Sequence, residues 1–330
     1  MAGEDSDDLI ADLIDLSGAG MQVVELGEGA PASDTGVGVV RIGVHRAGPR
    51  PTIDPEAFDI LLSAASDAPA PWVGVTPDAL EETLAHLRAV IERQPVAAAV
   101  AAQVLRTSLA LPFDQALVQE SLAYSMLLAS GGFRAWRAAN PPGKKPQRDS
   151  GRLDFNPVGS PIHIVLTRSD ARNAFDALMR DELCDVFAFA LDHPDRPPVV
   201  LSGSGPCFSA GGDLDEFGSA EDVGLAHLIR SLRSPAALAH RLGPRLTVRL
   251  HGACVGAGIE VPAAAGRVVA RPGAWFRLPE VSMGLIPGAG GTASLPRRLG
   301  RHRACYMAIS GRDIDLATAL AWGLVDEIEA

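Results

Sequence analysis

Apolar residues in the first part of the chain recur at steps of three and four positions, which predicts amphipathic helices rather than strands. The clearest pattern begins at Thr76, which can cap a helix, and continues with Pro77, which fits the first helical turn. The apolar stripe of this helix comprises Leu80, Leu84, Leu87 and Ile91. The spacing predicts a helix that buries one face.

Two further helices are predicted by the same spacing, one from Val96 and one after Pro112 and Asp114. Their predicted buried faces comprise Val100, Val104 and Leu109 in the first and Leu117, Val118, Leu122 and Met126 in the second. Residues 9–14 have the pattern of a short acidic amphipathic helix, whereas Gly, Pro and Ser crowd residues 17–54 and leave them unassigned. We therefore expect residues 1–139 to form a mainly helical N-terminal domain.

The pattern changes at residues 140–151, which combine Pro and Gly with charge and have the composition of an exposed linker. From residue 152 to residue 330, short β-rich runs alternate with helical stretches. Such alternation predicts an α/β domain with crossover helices. The predicted elements are strands at Ile162–Leu166, 198–201 and Leu246–Leu250 and a helix at Phe175–Ala190.

Composition narrows the class of protein. The 330 residues are 47% hydrophobic and 21% charged, with a formal net charge of −11, which fits a soluble protein and disfavours nucleic acid as a partner. The acidic N-terminus does not resemble a signal peptide, and no apolar run is long enough to span a membrane, so we expect a cytoplasmic protein without membrane partners. The four cysteines lie far apart without a C-x-x-C pair, so we expect reduced, mostly buried thiols and no metal site.

Three glycine-rich stretches at residues 207–214, 251–260 and 279–292 follow or adjoin predicted strands. Small residues let the backbone approach a ligand, and free N–H groups at such a turn can point at developing negative charge. Each stretch alone could also be an ordinary tight turn between a strand and a helix. They form no convincing dinucleotide-binding glycine pattern, Walker A loop or hydrolase nucleophile elbow.

Taken in order, these segments resemble the enoyl-CoA hydratase/isomerase family, also called the crotonase family. The resembling segments are RNA at 172–174, FSAGGDL at 208–214, GAGIE at 256–260, PEVSMGLIPGAGGT at 279–292 and ALAWGLVD at 319–326. The resemblance covers roughly residues 151–330 and implies a crotonase-like β/α spiral core, in which stacked turns of sheet are flanked by helices. It also implies an acyl-CoA substrate, no cofactor beyond the coenzyme A of that substrate, and a homo-oligomer, either trimer or hexamer.

Carried over by position, the resemblance implies that the backbone N–H groups of Ala210 and Ala257 form an oxyanion hole for the thioester carbonyl. Alanine at 257 replaces a glycine that is frequent in the family, but only its N–H is needed. The segment at Arg172 and Ala174 is expected to border the CoA nucleotide, with Arg168 or Arg172 near its phosphates. The other expected substrate-binding residues are Gly211, Gly212, Asp213, Leu214, Gly256, Pro287 and Gly288.

Two glutamates, Glu260 and Glu280, lie among apolar neighbours beside these glycine-rich turns. A carboxyl group in such surroundings has a raised pKa, which suits proton transfer near neutral pH. By themselves they could be helix-terminal or surface glutamates, but both occupy the positions of the hydratases' catalytic pair. The resemblance implies that Glu260 orients and deprotonates water at Cβ and that Glu280 delivers a proton to Cα.

The stretch before residue 140 has no counterpart in a minimal hydratase and resembles the N-terminal extension of 3,5-dihydroxyphenylacetyl-CoA dioxygenase, which needs no cofactor. The family's usual C-terminal helices have no counterpart after residue 326, so the N-terminal helices are expected to replace them. We expect a hydratase, dehydratase or isomerase, because Glu260 is an acid where that dioxygenase is expected to have an amide. An arylacetyl-CoA dioxygenase and a non-catalytic acyl-CoA-binding subunit remain as alternatives.

Overall fold

The structure is a computed structural model that describes residues 20–27, 38–143 and 151–329. The helix expected at residues 9–14 and most of the expected linker lie outside the described residues. Thirteen strands are described, β1 to β13, at Met21–Glu25, Val40–His45, Ile60–Ser63, Val73–Gly74, Leu153–Asn156, Ile162–Leu166, Val199–Gly203, Leu246–Leu250, Ala253–Val255, Arg267–Ala270, Trp275–Arg277, Ile314–Asp315 and Glu327–Ile328. Eleven α-helices are described, α1 to α11, at Pro77–Arg93, Pro95–Ser108, Phe113–Leu128, Gly131–Ala139, Ala177–Asp192, Val223–Leu232, Pro235–Leu242, Ala257–Glu260, Gly291–Leu299, Arg301–Ser310 and Leu316–Trp322.

The N-terminal part contains a sheet as well as helices, so the prediction of a mainly helical domain is only partly confirmed. Strands β1 to β4 form a four-stranded parallel sheet in chain order, and helices α1 to α4 follow it. Every residue of β2 and of β3 is buried. Strand β3 is a short apolar run without alternation, which periodicity alone does not identify as a strand. Strand β2 does alternate, but it lies in the stretch rich in Gly, Pro and Ser that the sequence pattern left unassigned.

Helix α1 forms as predicted, with Thr76 at the N-cap, Pro77 in the first turn and a buried apolar stripe. Helix α3 forms at the predicted place, but its predicted buried face is wrong. Val118, Leu122 and Met126 are 42%, 54% and 54% exposed. The inward face of α3 instead carries Phe113, Ala116, Glu120, Ser121, Ser125 and Leu127. This face therefore buries the polar side chains of Glu120, Ser121 and Ser125 against the rest of the protein. The hydrogen-bond partners of Glu120 lie at the candidate active site.

The C-terminal part confirms the predicted mixed α/β architecture. A six-stranded sheet has the order β13-β10-β8-β7-β6-β5, and a three-stranded sheet has the order β12-β11-β9. The predicted strands at β6 and β8 have the expected bounds, and α5 begins two residues later than predicted. All pairings in the larger sheet are parallel except β5 with β6, as expected where helices connect successive strands.

The two parts of the chain share one apolar core, in which residues of β2, α1 and α2 join residues of α9 and α10. Helix α10 also binds the N-terminal part through buried arginines. Arg301 donates to the Phe58 carbonyl at 2.9 Å, and Arg303 donates to the Trp72 carbonyl at 3.0 Å. Each guanidinium group is buried and takes its acceptors from the N-terminal part, which for Arg301 include the Glu56 carboxylate at 3.0 Å.

Removing residues 1–150 should therefore destabilise the C-terminal part. The truncated chain would expose the apolar faces of α9 and α10 and leave Arg301 and Arg303 without acceptors. We expect aggregated protein, or soluble protein without a cooperative thermal transition, as measured by size-exclusion chromatography and calorimetry. A truncated chain that is soluble, unfolds cooperatively and keeps the oligomeric mass of the full chain would contradict this expectation.

Candidate active site

The centre of the site is the glycine-rich turn that leads into α9. The backbone amides of four successive residues, 289 to 292, donate alternately to two glutamates. Ala289 and Gly291 donate to Oε2 of Glu260 at 2.7 and 2.9 Å. Amides at the start of a helix lack partners within the helix and carry partial positive charge, so carboxylates are suited to satisfy them.

The other two amides of this turn bind Glu120, which the sequence pattern did not reveal. Gly290 donates to Oε1 of Glu120 at 2.7 Å, while Thr292 donates to Oε2 through its amide at 2.8 Å and its hydroxyl at 2.7 Å. Glu120 lies on α3, so the N-terminal part supplies one of the carboxylates of the site. A charged residue at helical spacing from Phe113 and Ala116 was the only sign of it in the sequence.

The two predicted glutamates both lie beside Gly256, which adopts a φ of 49° before α8. A Cβ atom at this position would overlap Oε1 of Glu280 and lie 3.8 Å from Oε1 of Glu260. Glycine is therefore required here both by the backbone conformation and by the carboxylate. Glu260 is held through Oε2, whereas Oε2 of Glu280 has no hydrogen-bond partner among the described residues.

Burial dominates the acid/base properties of the three glutamates. Desolvation raises the pKa of Glu280 to about 8, with a further contribution from the charge of Glu120. Desolvation also raises the pKa of Glu120 to about 7, opposed by the donors at Thr292 and Gly290. The pKa of Glu260 is well above its ordinary value because of desolvation and the charges of Glu280 and Glu120. Such a cluster does not ionise fully near neutral pH.

Hydrogen bonding indicates which carboxyl group of the predicted pair carries negative charge first. Two amides of the turn stabilise an ionised Glu260, whereas Glu280 is stabilised as a carboxylate by its own backbone amide alone, and its Oε2 receives no donor from the described residues. Once Glu280 is protonated, its charge no longer opposes ionisation of Glu260. The arrangement therefore favours a proton on Glu280 and a carboxylate at Glu260, one potential acid beside one potential base.

A cavity of about 190 Å³ opens onto these groups. Of the residues predicted from the sequence, it is lined by Ala257, Glu260, Glu280, Gly212 and Gly288. The remaining lining comprises Tyr124, Phe175, Asp176, Ala177, Arg180, Glu216, Phe217, Arg230, Arg233, Ser234, Pro235, Val261 and Ala289. Tyr124 on α3 packs against Gly288, where a Cβ atom would overlap its ring, and the guanidinium carbon of Arg230 on α6 lies 4.9 Å from the centroid of the same ring.

The predicted backbone donors have different environments. Ala257 lines the cavity, and its amide has no acceptor among the described residues. The amide of Ala210 donates to the Arg172 carbonyl at 2.9 Å. Gly211 has a φ of 96°, and its amide donates to the Ser209 hydroxyl at 3.1 Å.

Several residues predicted to bind substrate lie outside the cavity lining. Asp213 forms an ion pair with Arg168 at 2.7 Å, and Arg168 also donates to the Ala174 carbonyl at 2.9 Å. Arg168 is therefore engaged in holding these segments together, while the side chain of Arg172 is exposed. Leu214 is exposed. Gly256 and Pro287 do not line the cavity themselves but contact residues of the site: Gly256 lies beside Glu280, and Pro287 packs against Gly291.

All four cysteines are free and buried, as expected: Cys184, Cys207, Cys254 and Cys305. No group of three or more metal-ligating side chains occurs in the part of the chain that the structure describes. Within the same residues, no helix has the length and hydrophobicity to cross a membrane.

Comparisons with known proteins identify similar sequences and folds. The sequence profile of the enoyl-CoA hydratase/isomerase family matches residues 159–330. The chain is 31% identical to an enoyl-CoA isomerase/hydratase of Mycosarcoma maydis, over 50% of this chain and 64% of that protein. It is 31% identical to the carnitinyl-CoA dehydratase of Proteus mirabilis, over 53% of this chain and 67% of that protein.

A solved structure of enoyl-CoA hydratase from Thermoplasma volcanium matches with a TM-score of 0.50 and 33% identity. The match covers 55% of this chain and 72% of that one. The chain spans just under two thirds of the length of the Mycosarcoma maydis relative.

Replacing Glu280 by Gln should stabilise the protein at alkaline pH. An unfolded glutamate ionises near its ordinary pKa of 4.5 and the folded one near 8, so its contribution to stability is lost as pH rises through this window. We expect Glu280→Gln to raise the melting temperature at pH 9 and to have little effect at pH 4, measured by calorimetry. An equal change at both pH values would contradict the assignment of a buried, protonated Glu280.

Proposed function

Because the chain belongs to the enoyl-CoA hydratase/isomerase family, we propose that it is an acyl-CoA enzyme that adds water to, removes water from, or isomerises its substrate. The observation that carries the proposal is the convergence of Glu260, Glu280 and the free amide of Ala257 on one cavity. The names of the relatives, an isomerase/hydratase and a dehydratase, concern CoA thioesters and agree with this class.

The thioester carbonyl would be bound by backbone N–H groups, which stabilise the negative charge of an enolate. The amide of Ala257 is available for this purpose at the cavity. The amide of Ala210 would have to exchange its bond to the Arg172 carbonyl for a bond to the substrate. Catalytic hydrogen bonds commonly reach their final geometry only in the substrate complex, so this exchange is compatible with the proposal.

In hydration, Glu260 would act as the base and Glu280 as the acid. Glu260 would accept a proton from water as the water oxygen forms its bond to Cβ, and the electron pair would move to the thioester as an enolate. Glu280 would then give its proton to Cα, so that one water is added across the double bond. Dehydration is the reverse, while isomerisation would move a proton between carbons through the same enolate without adding water.

A dioxygenase acting on an arylacetyl-CoA is the second candidate, and one observation favours it. The N-terminal part, which a minimal hydratase lacks, contributes Tyr124 to the cavity beside Phe175 and Phe217, so aromatic surface is available for an aryl group. Glu260 opposes this candidate, because a charged carboxylate attracts water to a site where a carbanion must meet O₂. A non-catalytic acyl-CoA-binding subunit would need neither a proton donor nor a base.

Glu280→Gln should lower turnover by about 10²–10⁴ while leaving the affinity for the CoA thioester within a few-fold. The substrate is to be found by incubating the protein with enoyl-, hydroxyacyl- and arylacetyl-CoA thioesters and analysing the products by mass spectrometry. In the hydration direction, turnover of the native protein should fall as pH rises through about 8, where Glu280 loses the proton that it donates to Cα. The exposed Glu221→Gln serves as control and should behave as the native protein. Near-normal turnover of Glu280→Gln would exclude it from the mechanism.

The source of oxygen in the product distinguishes the two candidate reactions. We expect turnover to be independent of dissolved O₂, and ¹⁸O or deuterium from water to enter the product or exchange with the substrate. The measurement combines an oxygen electrode with mass spectrometry. Stoichiometric O₂ uptake with 3,5-dihydroxyphenylacetyl-CoA, and label from ¹⁸O₂ in the product, would overturn the hydratase/isomerase proposal in favour of the dioxygenase.

A further inference from the structure

Glu120 is the one glutamate of the cluster that comes from outside the segment matched by the family, and its contacts are unusually complete. Three donors from two residues meet its carboxylate at 2.7 to 2.8 Å, and the residue is 2% exposed. No ion pair within 4 Å neutralises it among the described residues, since the charge of Arg230 acts only at longer range. Burying a carboxylate in this way is costly, so its contacts need an explanation.

Capping α9 alone does not require a charged residue. A neutral Ser, Thr or Asn side chain commonly satisfies the first amides of a helix. Glu120 instead binds Gly290 and Thr292, and the amides interleaved with these belong to Ala289 and Gly291, which bind Glu260. Successive peptide planes share Cα atoms, so holding the amides of Gly290 and Thr292 restricts the orientations open to the peptide group of Gly291 that lies between them.

The available space around the turn makes this coupling tight. A Cβ atom at Gly291 would lie 2.7 Å from Cγ and Oε2 of Glu260 and 2.8 Å from Cβ of Pro287. At Gly290, where φ is 106°, a Cβ atom would overlap Ala236. The turn therefore packs closely against Glu260, Pro287 and Ala236, and the hydrogen bonds to Glu120 oppose its movement away from them.

We propose that Glu120 is a positioning residue for the reaction: it fixes the turn at residues 289–292 so that Glu260 is held at the cavity. The charge of Glu120 also raises the pKa of Glu260 and of Glu280, which couples the three carboxyl groups. The significance of this role for turnover rests on the proposed function, whereas the coupling between the carboxyl groups can be tested without it. In this way the N-terminal part of the chain acts on the site without having to contact the reacting atoms.

The decisive variant is Glu120→Gln, which keeps the size of the side chain but removes its charge and replaces one acceptor oxygen by an NH₂ donor. That donor would face the amide of Gly290 or the donors of Thr292, so the turn should loosen. The control is Asp114→Asn, which removes an exposed carboxylate from the same helix. Turnover and its pH profile are measured for each, together with an infrared titration of the buried carboxyl groups in the full-length protein.

We expect Glu120→Gln to lower kcat by about 10²-fold with little change in KM, as for a misplaced catalytic group. Because the charge of Glu120 raises the pKa of Glu280, its removal should move the alkaline limb of the pH profile and the infrared titration of Glu280 to lower pH. Asp114→Asn should change none of these. Loss of the charge alone would move the titration but leave the maximal kcat of the pH profile native, so a native maximal kcat, or an unmoved titration, would overturn the proposal.

Two further outcomes remain decisive. If Glu120→Gln does not fold, Thr292→Val removes only the hydroxyl donor at 2.7 Å and replaces it by a methyl group of similar size. This variant should lower kcat severalfold and shift the carboxyl titration, and native values for both would overturn the proposal. If the native protein turns over no thioester, the proposed function fails, while a shifted titration in Glu120→Gln would still support the coupling.

Discussion

The turn at residues 289–292 imposes the constraint on which the site depends, because its four successive amides have no partners within the helix, three of them belong to buried residues, and each needs an acceptor. Glu260 supplies two of these acceptors from within the C-terminal part, and Glu120 supplies the other two from α3. The turn is thus completed only when α3 packs against α9. The buried polar face of α3 follows from this requirement, since an apolar residue at position 120 would leave two amides unsatisfied.

The same arrangement explains why the site is suited to proton transfer. Three glutamates are buried in one region, so desolvation and mutual repulsion raise their pKa values toward and above neutrality. Donors are distributed unequally among them: Glu120 and Glu260 receive amides, while one oxygen of Glu280 receives none from the described residues. Burying these carboxyl groups costs folding stability, and the same burial raises the pKa of Glu280 so that it keeps its proton near neutral pH.

Much of the C-terminal part could be predicted from the sequence because its signals are local. The strand at Ile162–Leu166 and the helix beginning near Phe175 follow from periodicity, and the placing of Glu260 and Glu280 beside one another follows from a resemblance carried by contiguous motifs. The N-terminal sheet was not predicted because β3 is a short apolar run and β2, although it alternates, lies in a stretch rich in Gly, Pro and Ser. The role of Glu120 was not predicted because its hydrogen-bond partners are 170 residues or more away in the chain, and helical periodicity does not reveal such distant contacts.

The central claim is that this cluster removes and returns a proton beside a thioester carbonyl, and exchange at Cα tests it without knowledge of the complete reaction. Acetyl-, butyryl- and phenylacetyl-CoA would be incubated with the protein in D₂O, and loss of the Cα proton signal would be followed by NMR. The account predicts protein-dependent exchange with at least one thioester that is abolished in Glu280→Gln. Binding of these thioesters without any exchange at Cα, or exchange that persists unchanged in Glu280→Gln, would contradict it.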